Sequence, residues 1–215
     1  MIAMALMARL RCALGGPAPS ATELALALSL VALDVVARLA PHAPNFTPLA
    51  ASALFAGAVL GSRPLALAVP LAAMLVSDLV LGYHDWIVTG AVYGALALPA
   101  LLGMWAHARS TVVLAPLALG SSLFFFASTN FAVWASSGMY AADLNGLVRC
   151  YVAALPFLRN TVLGDMFWTA LLFGGWWSAK FLLTRATAGM LSRSWMDCTA
   201  TRACPGCADC PPQVG

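Results

Sequence analysis

The sequence predicts an all-α polytopic membrane protein, built as a bundle of six transmembrane helices. Of its 215 residues, 62% are hydrophobic and only 9% are charged, whereas soluble globular chains are about 45–50% apolar and about 25% charged. The apolar residues form continuous runs, not the alternating stretches of about ten residues that a membrane β-barrel shows. This composition excludes an ordinary soluble enzyme, a disordered chain and a small disulfide-stabilised protein. The formal net charge of +3, carried by scattered basic residues, gives no reason to expect a nucleic-acid partner.

Six apolar segments approach or exceed the length of about 20 residues that a helix needs to cross the hydrocarbon core. They cover residues 22–40, 46–61, 65–82, 87–106, 111–136 and 161–184. The second is short, so it is expected to be tilted or partly buried. A further apolar segment, residues 147–157, is too short to span and is expected to lie at the interface or to re-enter the membrane. The membrane domain is therefore expected over residues 1–190, followed by a cysteine-rich cytoplasmic tail over residues 191–215.

Lysine and arginine are distributed unevenly between the two sides that six spans define. Eight of the 11 basic residues lie on the side that carries both termini, and three lie on the other side. Cytoplasmic loops of membrane proteins carry the excess of lysine and arginine. The distribution therefore predicts that both termini are cytoplasmic, and a chain with five or seven spans would lose this asymmetry.

Polar side chains gather at the end of the bundle opposite the termini. A charged residue at the centre of a transmembrane helix costs about 2.5–3.5 kcal/mol on insertion scales, so its placement is informative. Asp34, Asp78 and Asp165 lie within predicted spans, all in the outer half. An outward-facing cavity for a small solute would need such residues. The candidate ligand-binding residues are Asn45, Asp78, His84, Asn130, Arg159, Asn160 and Asp165.

Four of these candidates come from different spans at similar predicted depth. We expect Asp78, Asn130, Arg159 and Asp165 to converge in one outer cavity, because an arginine between carboxylates is balanced and keeps donors free for a ligand. Structural roles compete with this interpretation. Asp78 could face interfacial water, Asn160 could cap the sixth span, and Arg159 could extend to the membrane surface.

Two further patterns concern helix packing. Asp34 and Arg38 are spaced i, i+4, so they are expected to pair on one helix face. Ala53, Gly57 and Gly61 place a small residue at every fourth position of the second span, which lets two helix backbones approach closely. We expect the partner helix within the same chain, the alternative being a docking surface for another membrane subunit.

No motif for enzyme catalysis is found in the sequence. The serine-hydrolase elbow, the zinc-protease motif, the nucleotide phosphate-binding loop and the dinucleotide fingerprint are all absent. The chain is therefore not expected to be an enzyme. Because it cannot hydrolyse ATP itself, active transport would need an ion gradient or a partner.

Four cysteines lie close together in the tail, in the spacing C-x5-C-x2-C-x2-C. They are Cys198, Cys204, Cys207 and Cys210. Disulfides are disfavoured on a reducing cytoplasmic side, and four thiolates can hold zinc or an iron–sulfur cluster. The tail is also short and rich in proline and glycine, so a disordered tail that scavenges metal fits the spacing equally well.

The most distinctive motifs of the chain are Pro41–Pro48, Pro70–Met74, Ser77–Leu79, Gly82–His84, Thr129–Phe131, Cys150–Tyr151, Pro156–Phe157 and Arg159–Asp165. Together they resemble a family of uncharacterised bacterial six-span membrane proteins, over about residues 30–178. That family is distantly similar to the substrate-binding S-components of energy-coupling-factor vitamin transporters. S-components bind vitamins from outside, and a separate transmembrane subunit with two ATPases drives delivery inward. A corrinoid solute would need His42, His84 or Cys150 as a cobalt ligand.

The resemblance implies a protein of the bacterial inner membrane that binds a small vitamin-like or metal-bearing solute at its outer face for uptake. Its expected partners are the lipid bilayer, the solute and a transmembrane coupling subunit with its ATPases. Two alternatives remain open. One is a non-transporting accessory subunit of a membrane complex, and the other is a metal-handling protein that uses zinc or iron–sulfur at the tail cysteines.

Overall fold

The structure is a computed structural model, which describes residues 19–82, 85–107, 109 and 111–201, with side chains described up to residue 187. The chain is helical within these ranges and forms no β-strand there. A short 3-10 helix, Thr111–Val113, leads into α5. The α-helices are α1 (Ala21–Leu39), α2 (Leu49–Val59), α3 (Arg63–Leu81), α4 (Trp86–Ala106), α5 (Leu114–Ser136) and α6 (Leu144–Thr201). The predicted all-α class is confirmed.

Side-chain caps set where several helices begin. At α1, the Ser20 hydroxyl accepts from the Glu23 backbone N–H at 3.2 Å, and the Glu23 carboxylate accepts from the Ser20 backbone N–H at 2.8 Å. This reciprocal pair is a capping box. Asp85 caps α4 and Asp143 caps α6 by accepting from backbone N–H groups of the first turn. Each such cap stabilises its helix by about 1 kcal/mol.

Among the described residues, three helical segments are long and apolar enough to cross a membrane. They are α3, α4 and Thr111–Ser136, which contains α5. Large apolar side chains cover their outer surfaces, with Leu79 exposed by 71%, Val112 by 79% and Trp86 by 80%. An apolar surface of this extent marks contact with lipid or with another protein. These helices indicate a membrane protein, in agreement with the composition.

The other predicted spans differ from these three. α1 carries Glu23, Asp34 and Arg38 and is therefore more polar. α2 has only 11 residues, or about 16 Å at 1.5 Å per residue, against about 30 Å of hydrocarbon core. Nearly all of α2 is buried, which confirms the expectation of a short, partly buried segment. Helix length and apolarity together therefore support three spans among the described residues.

The predicted break between residues 147–157 and 161–184 is wrong. Both segments lie in α6, which runs without interruption from Leu144 to Thr201. The polar pair at positions 159 and 160 divides the apolar pattern, but helical hydrogen bonds do not depend on side-chain polarity. Pro156 lies inside the helix, where it removes one backbone donor without ending the helix.

Small residues bring α2 and α4 into backbone contact. A Cβ atom on Gly57 would lie 2.1 Å from the carbonyl oxygen of Ala100, and one on Gly103 would lie 2.1 Å from that of Leu54. No side chain fits at these distances, so both positions require glycine. The expectation that Gly57 packs within the chain is confirmed, and its partner is α4.

The chain divides into two units, one up to Phe173 and one from Gly174 onwards. In the first unit, the early part of α6 packs against α5, where the Tyr151 hydroxyl donates to the Ala127 carbonyl at 2.6 Å. It also meets α2, where the rings of Phe55 and Phe173 are 5.1 Å apart. These contacts join α6 to the bundle that contains the cavity.

The second unit continues α6 as far as Thr201. Lys180 lies 4.9 Å from the centre of the Trp176 ring, and Arg185 lies 4.3 Å from that of Phe181. Such cation–π contacts stabilise exposed helices by about 0.5–1 kcal/mol. The predicted tail over residues 191–215 lies outside the residues whose side chains are described, so its boundary stays a prediction.

Candidate functional site

A cavity of about 340 Å³ opens at the end of the bundle where α1 and α3 end and α2 and α4 begin. We call it the end cavity. Its polar lining consists of Arg38, His42, Asn45, Thr47, Thr161 and Asp165. Its apolar wall consists of Leu49, Ala50, Met74, Leu81, Val92, Leu96 and Phe125. A volume of about 300–1,000 Å³ and a few polar groups within an apolar wall are typical of small-molecule sites.

An ion pair and a tyrosine hydroxyl together join three helices beside the end cavity. Arg38 Nη1 of α1 lies 2.9 Å from Asp78 Oδ1 of α3 and donates to Ser77 Oγ at 2.7 Å. The hydroxyl of Tyr93, on α4, donates to Asp78 Oδ2 at 3.0 Å. Because the Arg38 and Asp78 side chains are only 18% and 8% exposed, the pair is largely shielded from water. The arginine on the cavity wall is therefore already balanced by a carboxylate.

The expected local pair between Asp34 and Arg38 is wrong. Asp34 is fully buried and accepts a hydrogen bond of 2.5 Å from Ser52 Oγ on α2. Arg38 instead extends to α3, where Asp78 and Ser77 supply two acceptors at once. A spacing of four residues permits a local pair, but the long arginine side chain can also reach a neighbouring helix. Within the described part of the chain, the second carboxylate oxygen of Asp34 has no hydrogen-bond partner.

Asp165 brings a second carboxylate to the cavity. It lies on α6, lines the end cavity and is only 4% exposed. Its Oδ2 atom accepts from Ser122 Oγ on α5 at 2.6 Å. Among the described residues the only ion pair is that of Arg38 with Asp78. Asp165 is therefore buried in the wall with a hydroxyl as its partner and no cationic side chain in contact.

The connection between α1 and α2 closes the cavity against α6. Asn45 adopts a φ of 61°, a left-handed conformation that asparagine tolerates better than most residues. Next to it, Phe46 approaches Gly164 so closely that a Cβ there would lie 3.2 Å from the Phe46 Cα atom. The Phe46 ring also packs on that of Phe167, with 5.8 Å between centres. The loop is thus held where Asn45 meets the cavity beside Asp165.

The structure brings together only part of the predicted ligand-binding set. Asn45 and Asp165 line the end cavity. Asp78 lies one contact behind the wall, held by Arg38. The Asn130 side chain donates to a carbonyl of its own helix at 2.7 Å and is not among the lining residues.

Arg159 and Asn160 do not line the end cavity either. Arg159 is exposed and Asn160 is half-buried. Arg159 and Asp165 are six positions apart, so their side chains differ by about 120° around the helix axis. The expected convergence of Asp78, Asn130, Arg159 and Asp165 is therefore wrong. The arginine that pairs with a carboxylate beside the cavity is Arg38, not Arg159. His84 lies outside the described residues.

Sequence reasoning missed several lining residues. Thr161 was detectable, since it lies four residues before Asp165 and shares its helix face. Arg38 was assigned to Asp34 because the two are close in sequence, although Asp78 on another predicted span offered an equally plausible partner. Phe125 gave no signal, because one phenylalanine in an apolar span does not stand out.

Cys150, the one cysteine among the described side chains, does not line the end cavity. The four tail cysteines lie outside the residues whose side chains are described, so metal binding there stays a prediction. Cys150 is buried, and its thiol donates to the Asn130 carbonyl at 3.5 Å. In the described part of the chain, no group of three His, Cys, Asp or Glu side chains could hold a metal ion.

Comparison with known proteins places the chain in a family. Residues 19–187, most of the chain, match a family of unknown function (DUF6580). The chain therefore belongs to this family, which confirms the expected membership in an uncharacterised family. No curated protein and no solved structure matches the chain.

Proposed function

We propose that the protein lies in the bacterial inner membrane and binds a small vitamin-like or metal-bearing solute in the end cavity for uptake. The observation that carries the proposal is the cavity of about 340 Å³ at one end of the bundle, lined by polar side chains within an apolar wall. Binding sites for small molecules combine these two features. The resemblance to S-components supports uptake, with a coupling subunit and ATPases as partners.

The location of the cavity supports the direction of entry. It lies at the end of the bundle that contains the loop between α1 and α2, and the distribution of lysine and arginine puts that end outside the cell. A solute arriving from outside would reach Asn45 and His42 first and then Arg38 and Asp165. The protein would thus present a binding site at its outer face, as the S-component resemblance implies.

Native mass spectrometry of the purified protein tests solute binding. We expect the natural protein to retain a small molecule. The variant Ala50→Trp fills the cavity wall and should lose it. The matched control Leu79→Trp places the same side chain on a surface that is 71% exposed, and it should keep the molecule. Retention of the same molecule by Ala50→Trp would show that it binds elsewhere.

The same sample separates the alternative functions. A protein that co-purifies in place of a small molecule would favour an accessory subunit of a membrane complex. Zinc or iron that is lost when residues 196–215 are deleted would favour metal handling at the tail cysteines. Loss of a small molecule after that deletion would contradict the end cavity as its site.

We also propose six spans with both termini cytoplasmic. Three spans follow from the length and apolarity of the described helices, and α1, the buried α2 and residues 161–184 of α6 would supply the others. The variants Arg63→Cys and Arg109→Cys should resist a membrane-impermeant maleimide on intact cells and react after permeabilisation. Asp143→Cys should react at once, with the natural chain as the background. Labelling of position 63 or 109 from outside would reverse the orientation and remove the outward-facing site.

A further inference from the structure

The two acids at the end cavity are balanced differently. Asp78 pairs with Arg38 at 2.9 Å, so these two charges cancel. Asp165 is only 4% exposed, and its contact is the neutral hydroxyl of Ser122. Counting Arg38 as positive and both aspartates as negative, this part of the wall has one excess negative charge. Holding that carboxylate ionised without a counter-charge is costly, and a bound cation would stabilise the ionised form.

We propose that the solute carries a positively charged nitrogen that pairs with Asp165, on an organic body small enough for the end cavity. This inference rests on the proposed function and deepens it by naming the chemical class of the solute. The site has both parts that such a molecule needs. Asp165 supplies the counter-charge, and the apolar wall with Phe125, Leu96 and Val92 accommodates the rest of the molecule.

The remaining lining groups fit the same class of ligand. Thr161 lies one helical turn before Asp165, and Asn45 faces the cavity from the loop, so both can bond polar atoms beside the charged nitrogen. His42 is the third ionisable lining residue, beside Arg38 and Asp165; it lies in the exposed loop, with its Nδ1 atom 2.6 Å from the Ala40 carbonyl.

Two other classes of ligand fit the site less well. A free anion would find Arg38, the one arginine in the described lining, already paired with Asp78. A bare metal ion would find no group of three His, Cys, Asp or Glu side chains among the described residues. The charge and the donor set therefore favour an organic cation.

Three probes with the same body and different head charges test the inference. They are 2-phenylethylammonium, 2-phenylethanol and phenylacetate, each titrated into purified protein in detergent by calorimetry. We expect the ammonium compound to bind the natural protein at least about tenfold more tightly than the alcohol, with the carboxylate weakest. This comparison needs no substitution, so it holds even if a variant fails to fold.

Two isosteric variants locate the charge. Asp165→Asn keeps the size of the side chain and an acceptor for Ser122, so it should fold. Its ratio of affinities for the ammonium compound and the alcohol should fall roughly tenfold. Asp143→Asn removes the same charge from an exposed position outside the cavity, and asparagine caps a helix as well as aspartate does. This control should keep the preference of the natural protein.

The outcomes separate this inference from the proposed function. Equal binding of ammonium and alcohol, binding of none of the three probes, or a preference that survives in Asp165→Asn would each overturn the cationic solute. A retained natural molecule that is neutral or anionic would overturn it too, while leaving solute binding intact. An ammonium preference that depends on Asp165, found in a protein that retains no solute and takes none up, would support the inference and contradict uptake.

Discussion

Two buried carboxylates in this protein each accept a hydrogen bond from a serine hydroxyl, but their surroundings differ. Asp34 accepts from Ser52 across the contact between α1 and α2, and Asp165 accepts from Ser122 across the contact between α5 and α6. Asp34 is completely buried and does not line the end cavity, whereas Asp165 does. The same acid–serine pair therefore joins helices in one place and faces a ligand-sized space in the other.

Burial of an acid does not by itself identify a binding site. Asp34, Asp78 and Asp165 are all buried, and each has a different set of partners. Asp34 relies on a hydroxyl within packed helices, Asp78 relies on Arg38 and Tyr93, and Asp165 has a hydroxyl together with access to the cavity. Of these three acids, Asp165 alone lines the cavity without a cationic partner, so its charge is available to a ligand.

The largest effect is expected where an ion pair balances the acid. Arg38→Met would leave Asp78 buried without its cation, and removal of one partner of a buried pair costs about 3–5 kcal/mol. We expect a loss of about 3 kcal/mol, at the lower end of this range, because the pair borders a cavity. Unfolding in mixed micelles with rising SDS would measure it. The double variant Arg38→Met with Asp78→Leu should recover most of the loss, and failure to recover would mean that Arg38 acts mainly through other contacts.

A pair of serine variants sharpens the comparison of the two acids directly. Ser52→Ala removes the only hydrogen bond found for the Asp34 side chain in the described structure, and an unsatisfied buried group costs about 1–3 kcal/mol. Ser122→Ala should cost less, because Asp165 borders a space where water can replace the hydroxyl. The same SDS titration applied to both variants checks the order. Equal losses, or a larger loss for Ser122→Ala, would contradict the distinction between the two sites.

The smallest effect is expected from a neutral hydrogen bond to an acid that is already paired. Tyr93→Phe deletes the hydroxyl that donates to Asp78 at 3.0 Å and keeps the ring. A loss of roughly 1 kcal/mol follows, since the salt bridge to Arg38 remains. Tyr140→Phe, outside this network, serves as the control and should leave the SDS midpoint unchanged. A loss above that of Arg38→Met would reverse the assignment of the main partner of Asp78.

Sequence reasoning predicted the helices better than the contacts between them. Continuous apolar runs predicted α3, α4 and α5 within a few residues, because crossing a membrane demands length and apolarity that any such sequence displays. The continuity of α6 was not predicted, because the polar pair Arg159 and Asn160 resembles a loop in the sequence. In the site, sequence reasoning identified Asn45 and Asp165 but replaced Arg38 with Arg159. Arg159 and Asp165 lie about 120° apart around the helix axis, so Arg159 does not share the face of Asp165. The spacing of the two residues in the sequence already shows this.

The sequence by itself determined the helical class, the membrane character and the gathering of polar groups towards one end of the bundle. These properties follow from composition and from the order of residues along the chain. Only the tertiary structure decided which helix each acid faces. It paired Asp78 with Arg38, assigned Ser52 to Asp34 and left Asp165 at the cavity. The reason is that residues 39 and 43 positions apart, such as Arg38 with Ser77 and Ser122 with Asp165, meet through helix packing, and side-chain direction across a helix contact is not encoded in local spacing.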